Sequence, residues 1–217
     1  MNLGQYVVIG LSIFLGLWYV VGSSTNRKRG LETFRWLRDG LETAGKVTEA
    51  RWIGSSGSGA RLTVGKANRP FQRIEVVFLL DSRELLPLWL VNLLRGKQDE
   101  MILKANLRSL PTSEIEVGHS DSKEIKFLIS NKQPSTFQTA SAAAGFEILY
   151  KGKAGDEHIA RLQSFIQQYP VSIKRISLKK QMPHLVLRAD LPPLREKNLE
   201  EFFKDLSTWL SVLINTD

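Results

Sequence analysis

From Leu3 to Gly22 the chain runs for 20 residues without an Asp, Glu, Lys or Arg. No other stretch narrows the architecture as far. At a helical rise of about 1.5 Å per residue the run spans roughly 30 Å, the thickness of a bilayer's hydrocarbon core. The run also has a direction. Trp18 and Tyr19 sit near its end, and Ser, Thr and Asn then lead into Arg27, Lys28 and Arg29. A secretory leader carries its basic residues ahead of the apolar stretch and small residues at a cleavage site behind it. Here the order is reversed. Trp18 and Tyr19 fall where an interfacial aromatic belt forms, and the positive-inside rule assigns the side bearing Arg27, Lys28 and Arg29 to the cytoplasm. The expectation is an uncleaved single-pass transmembrane anchor over residues 1–22 in the cell membrane, with the amino terminus outside and the body in the cytoplasm. A buried core helix fits poorly, because core helices rarely run this long without a charged face. Within the anchor, Ser12 and Gly16 have the small-xxx-small spacing that lets helices approach closely, which leaves a homo-oligomer open. Glycine is common in membrane helices for other reasons too.

The rest of the chain patterns as an α+β body of mixed sheet and helix. Residues 23–44 form a basic juxtamembrane segment followed by an amphipathic helix, with Leu31, Phe34, Leu37 and Leu41 at helical spacing. Residues 45–129 form a first α+β unit. In it "KVTEARWIG" and "ARLTVG" are strands joined by the loop "SSGSG", and "FQRIEVVFLL" is an apolar third strand. A helix is predicted from about Pro87 to Gly96, where proline suits the first turn and glycine the end. It is apolar enough to lie in a membrane interface, but covering the neighbouring apolar strand is the favoured role. Two strands around a Leu110–Pro111 turn follow. Residues 130–145, small and unpatterned, form a linker or crossover. Residues 146–217 form a second unit: a strand, a helix capped by Asp156 and ended by Pro170, two strands, and a final helix. That last helix carries Leu199, Phe202, Phe203, Leu206, Trp209, Leu210 and Leu213 on one stripe. The order strand–helix–strand–strand occurs in both halves. Two fused βαββ-type units would produce it, and so would coincidence.

Chemistry is harder to find. The chain has no cysteine, which removes disulfides, thiolate metal sites and cysteine nucleophiles. His119, His158 and His184 have no metal-binding spacing, so no metal or cofactor site is expected. Asp81, Glu84, Asp99 and Glu100 flank the first body helix and are expected to be solvated helix ends. In "GSSGSG", Gly54 and Gly59 stand where a phosphate loop has its glycines. Ala60 and Arg61 replace the required Lys-Ser/Thr, however, and a strand follows rather than a helix. A flexible hairpin loop is the expectation there. The formal net charge of +8 favours an acidic partner such as anionic lipid headgroups. Nucleic-acid recognition lacks a signature. The leading reading is a membrane-tethered cytoplasmic domain, a non-catalytic module that binds or assembles with a protein partner at the inner face. The alternative is a membrane-surface enzyme acting on a phosphorylated or lipidic substrate through the Gly-rich loop, Arg61, Lys66 and Arg69.

Overall fold

The computed structural model describes residues 2–131, 137–142, 145–152 and 156–214. The chain opens on one unbroken helix, α1 (Leu3–Glu42), of 40 residues. Asn2 starts it reciprocally: its side chain accepts from the Gln5 N–H at 3.1 Å, and its own N–H donates to the Gln5 side chain at 3.0 Å. The expected division into an anchor and a separate amphipathic helix is therefore corrected, since the helix passes through Gly22 and Gly30 without a break. No proline interrupts residues 3–42, and Gly22, Gly30 and Gly40, which cost a helix about 1 kcal/mol each, sit where the body presses close. Gly22, Asn26, Gly30, Thr33, Leu37, Gly40 and Leu41 form the buried stripe of α1.

Among the described residues nine strands follow: β1 (Gly45–Trp52), β2 (Gly59–Ala67), β3 (Phe71–Leu79), β4 (Glu100–Leu107), β5 (Ser113–His119), β6 (Gln138–Ala142), β7 (Phe146–Gly152), β8 (Ile173–Leu178) and β9 (Leu185–Asp190). They make one sheet in the order β1-β2-β3-β4-β9-β8-β5-β7-β6, and every neighbouring pair is antiparallel. Between them lie α2 (Leu86–Leu94), α3 (Lys123–Asn131), α4 (Asp156–Gln168), α5 (Leu191–Arg195) and α6 (Leu199–Leu213). The fold is thus mixed α+β, a long apolar amino-terminal helix followed by a nine-stranded antiparallel sheet. The β8–β9 hairpin inserts between β4 and β5, so strands from both halves of the sequence share the sheet. The two strand–helix–strand–strand segments pair differently. In the first, α2 joins β3 to its neighbour β4; in the second, α4 joins β7 to β8 across the intervening β5.

Period-2 alternation sets the sheet's inner face. On β3, Phe71, Ile74, Val76 and Phe78 are buried, while Gln72, Arg73 and Leu79 are exposed. The expected cover for this strand is α2, but α2 leaves most of its apolar side chains exposed, and the second half of α1 is what packs on this end of the sheet, against β1 and β2. Leu37 and Leu41 join the core cluster, and Phe34 packs on Trp52 at 4.8 Å, which meets Phe78 edge-on at 6.4 Å. Packed between α1 and α4, α6 buries the whole stripe read from its sequence. Trp209 stacks on Phe165 of α4 with ring centroids 6.0 Å apart. Of the expected linker, residues 132–136 and 143–144 lie outside the described residues; the remainder includes the end of α3 and all of β6. The capping of α4 also lies outside them.

Candidate membrane-proximal site

The first half of α1 projects from this body. The helix is long and apolar enough to cross a membrane, and only 6% of its most apolar window is buried. Its first firm contact with the body is Trp18. The indole N–H donates to the Arg83 carbonyl at 2.9 Å, and the ring lies 5.4 Å from that of Trp89 in α2. Tyr19, one position on, is exposed. The aromatic pair therefore divides, Trp18 toward α2 and Tyr19 away from it. One turn further, Gly22 brings the helix backbone against Arg83 and Glu84: a Cβ there would stand 2.6 Å from the Arg83 carbonyl oxygen. Arg27, Lys28 and Arg29 are all exposed on the next turn, and Arg29 reaches within 3.8 Å of Asp99.

Beneath these residues lies a buried polar network that ties α1 to both ends of α2. Asn26, 1% exposed, donates through its amide to the Asp81 carbonyl and to the Glu84 carboxylate, each at 2.8 Å. Arg83 donates to the Asn26 side-chain oxygen at 3.0 Å and grips Asp99 through both oxygens, at 3.0 and 2.9 Å. Such a two-pronged pair is the strong form of a charge-assisted bond. Asp99 also accepts the Asp81 N–H at 2.8 Å. Asp81 in turn receives the Asn92 amide from α2 and has Lys97 at 3.7 Å. The expectation of solvated carboxylates is corrected here, because Asp81 and Asp99 are buried and balanced by Arg83, Arg29 and Lys97. Glu100 instead pairs with Arg188 of β9 at 2.7 Å.

The orientation of α2 is unusual for a surface helix. Its one polar residue, Asn92, is its buried residue, at 7% exposure. Leu88, Leu90, Val91 and Leu93 are exposed, and Leu94 reaches 87%. The helix turns its polar side chain inward and its apolar ones outward. Arg95 and Lys97, both exposed, follow directly.

The glycine-rich loop at 54–59 is a β1–β2 hairpin connection, but it does not stand free. Its Ser58 N–H bonds the Ser55 carbonyl at 3.0 Å, and the loop rests on α1. A Cβ at Gly30 would come within 1.7 Å of the Ser56 carbonyl oxygen, and one at Gly57 within 3.3 Å of Asn26. Arg61 pairs with Glu75 at 3.6 Å. Lys66 lies five residues along β2 from Arg61, roughly 17 Å at the strand rise, so these cations do not gather around the loop.

The histidines are likewise dispersed. His119 ends β5 with its ring 4.1 Å from that of Phe146, His158 of α4 contacts the Val212 carbonyl at 3.0 Å, and His184 precedes β9. Burial lowers the pKa of His184, whose Nδ1 accepts the Leu107 N–H at 2.9 Å. Burial and the Asp205 carboxylate, 2.8 Å away, raise that of Tyr169. Among the described residues no group of three or more His, Cys, Asp or Glu could hold a metal ion. No protein-family model and no curated protein matches the chain, so any functional reading rests on geometry. In the sequence, the signal for the network was the lone Asn92 in an otherwise apolar helix bracketed by Asp81, Arg83 and Asp99.

Proposed function

We propose that this chain is a membrane-tethered module. In this reading the apolar half of α1 crosses a bilayer, Arg27, Lys28 and Arg29 hold the body on the cytoplasmic side, and the body binds or assembles with a partner protein there rather than catalysing a reaction. The observation that supports it is the contrast along one helix. From Leu3 to Val21 nearly every side chain is exposed and apolar, whereas from Gly22 onward the same helix contributes a packed stripe to the core. Exposing so long an apolar surface to water is costly at about 25 cal/mol per Å2, and a hydrocarbon surrounding removes that cost. Arginine and lysine immediately after a span resist translocation. The reading is tested with reporter enzymes fused to the carboxyl terminus of the full chain, which are expected to report cytoplasm. Neutral replacements at Arg27, Lys28 and Arg29 should weaken that orientation. A periplasmic or external signal from the unmodified fusion, or a mature chain lacking residues 1–22, refutes it.

A further inference from the structure

We infer that α2 is a second membrane contact, an in-plane helix lying in the same bilayer interface that the apolar half of α1 leaves at Trp18. The inference rests on the tether proposed above and adds to it a specific lipid-facing surface on the body. Three observations carry it. First, α2 is inside out for a helix in water: Asn92 faces the protein, while Leu88, Leu90, Val91, Leu93 and Leu94 are 42 to 87% exposed. A helix so arranged matches an apolar surrounding, as surface helices of soluble proteins do not. Second, this surface is continuous with the span. Trp89 packs on Trp18 with ring centroids 5.4 Å apart, and the Trp18 indole is bonded to the turn that leads into α2. Placing Trp18 at the interface therefore places α2 at the same depth. Third, nine residues are far too few to cross a bilayer, which takes about 20, so the helix must lie along the surface. Arg95 and Lys97 follow α2 directly and are exposed, as suits contact with anionic headgroups.

The occupant of this surface is thus the bilayer, and a second protein is the outcome to be tested against. Because the chain has no cysteine, the full-length variants Phe14→Cys, Leu94→Cys and Gln181→Cys each carry one label. Phe14 lies within the apolar run, Leu94 ends α2, and Gln181 is exposed in the β8–β9 turn at the far end of the sheet. Each would bear a polarity-sensitive fluorophore in vesicles of phosphatidylethanolamine and phosphatidylglycerol with nitroxide quenchers on the acyl chains. The expected result is a blue shift and loss of emission at Leu94 with quenchers high on the chain, at Phe14 with deep quenchers, and no change at Gln181. If Phe14 is quenched while Leu94 reports water, the inference fails and the tether survives. If Leu94 is blue-shifted but unaffected by lipid quenchers, a protein covers α2 and the inference is again overturned. A Phe14 label in water overturns the tether, and the inference with it.

Discussion

Substituting Gly30→Ala sets two opposing effects against each other at the join between α1 and the body. Alanine is preferred over glycine within a helix by about 1 kcal/mol, so the exchange should stabilise α1 if nothing lies near. At Gly30 something does. The added Cβ would stand 1.7 Å from the Ser56 carbonyl oxygen, whereas carbon and oxygen in close contact rest at about 3.3 Å. The loop or the helix must then retreat by roughly 1.6 Å, judged against that contact distance. The loop is not free to do so. The Leu80 N–H bonds the Ser58 carbonyl at 2.9 Å, the Ile53 N–H bonds that of Gly59 at 2.9 Å, and Gly57 already leans on Asn26. Overpacking of this kind costs roughly 1–3 kcal/mol. With the propensity gain subtracted, the net loss spans about 0 to 2 kcal/mol, and a displacement as large as this one puts the expected loss at the upper end, near 2 kcal/mol. The measurement is urea unfolding of the full chain in detergent micelles, followed by tryptophan fluorescence, with a lower midpoint at unchanged slope. Gly16→Ala is the control, since a Cβ there meets no described residue within 4 Å; it should leave the midpoint unchanged or raise it. A Gly30→Ala protein as stable as the parent would refute the packed-loop account and restore a loop that yields freely.

Three further outcomes are expected. Trp209→Ala should cost about 3 to 5 kcal/mol, because the ring is 2% exposed and stacked on Phe165; a loss below about 1 kcal/mol in the same unfolding assay would mean that α6 does not close the core. Asp99→Ala should cost roughly 3 kcal/mol or more by leaving Arg83 without its carboxylate, and the double variant with Arg83→Ala should recover part of that loss, whereas strict additivity would speak against the pair acting as a unit. The lowered pKa of His184 means that the unfolded chain takes up a proton more readily than the folded one. Stability should therefore fall as pH drops below about 6.5, the ordinary histidine value, and through the lower folded value. His184→Asn, whose side-chain oxygen can still accept the Leu107 N–H, should flatten this limb of a midpoint-against-pH curve.

How much could be read from the sequence depended on whether the information was local. The stripe of α6 was legible because its seven apolar positions recur with the helical period and all meet one core. The exposed run in α1 was legible by length alone. The uninterrupted passage of α1 through Gly22 and Gly30 was not, since glycine beside Ser, Thr and Asn ordinarily signals a break. What keeps the helix whole is close contact with Arg83 and with Ser56, residues distant in sequence. The same reason hid the buried network. Asp81, Arg83 and Asp99 look like solvated helix ends until Asn26, more than fifty residues earlier, is folded against them. The role of α2 was inverted for want of knowing that the second half of α1 already packs on this end of the sheet, against β1 and β2. The insertion of β8 and β9 between β4 and β5 likewise has no local signature.

The continuity of α1 has a mechanical meaning. A 40-residue helix measures about 60 Å, and with no hinge between its two halves it would, in the membrane-tethered reading proposed above, act as a lever whose fulcrum is the lipid. Transmembrane helices tilt by about 20° on average, and over the roughly 45 Å from the middle of the apolar run to the end of α1 such a tilt would carry the far end of the lever about 15 Å sideways. Thinning or thickening of the bilayer would thus be transmitted as a swing of the edge formed by Thr43, Asn68 and Arg69, at the distal end of the helix. A partner docked on that edge would be presented at a height and bearing set by the lipid, without any change of shape within the body.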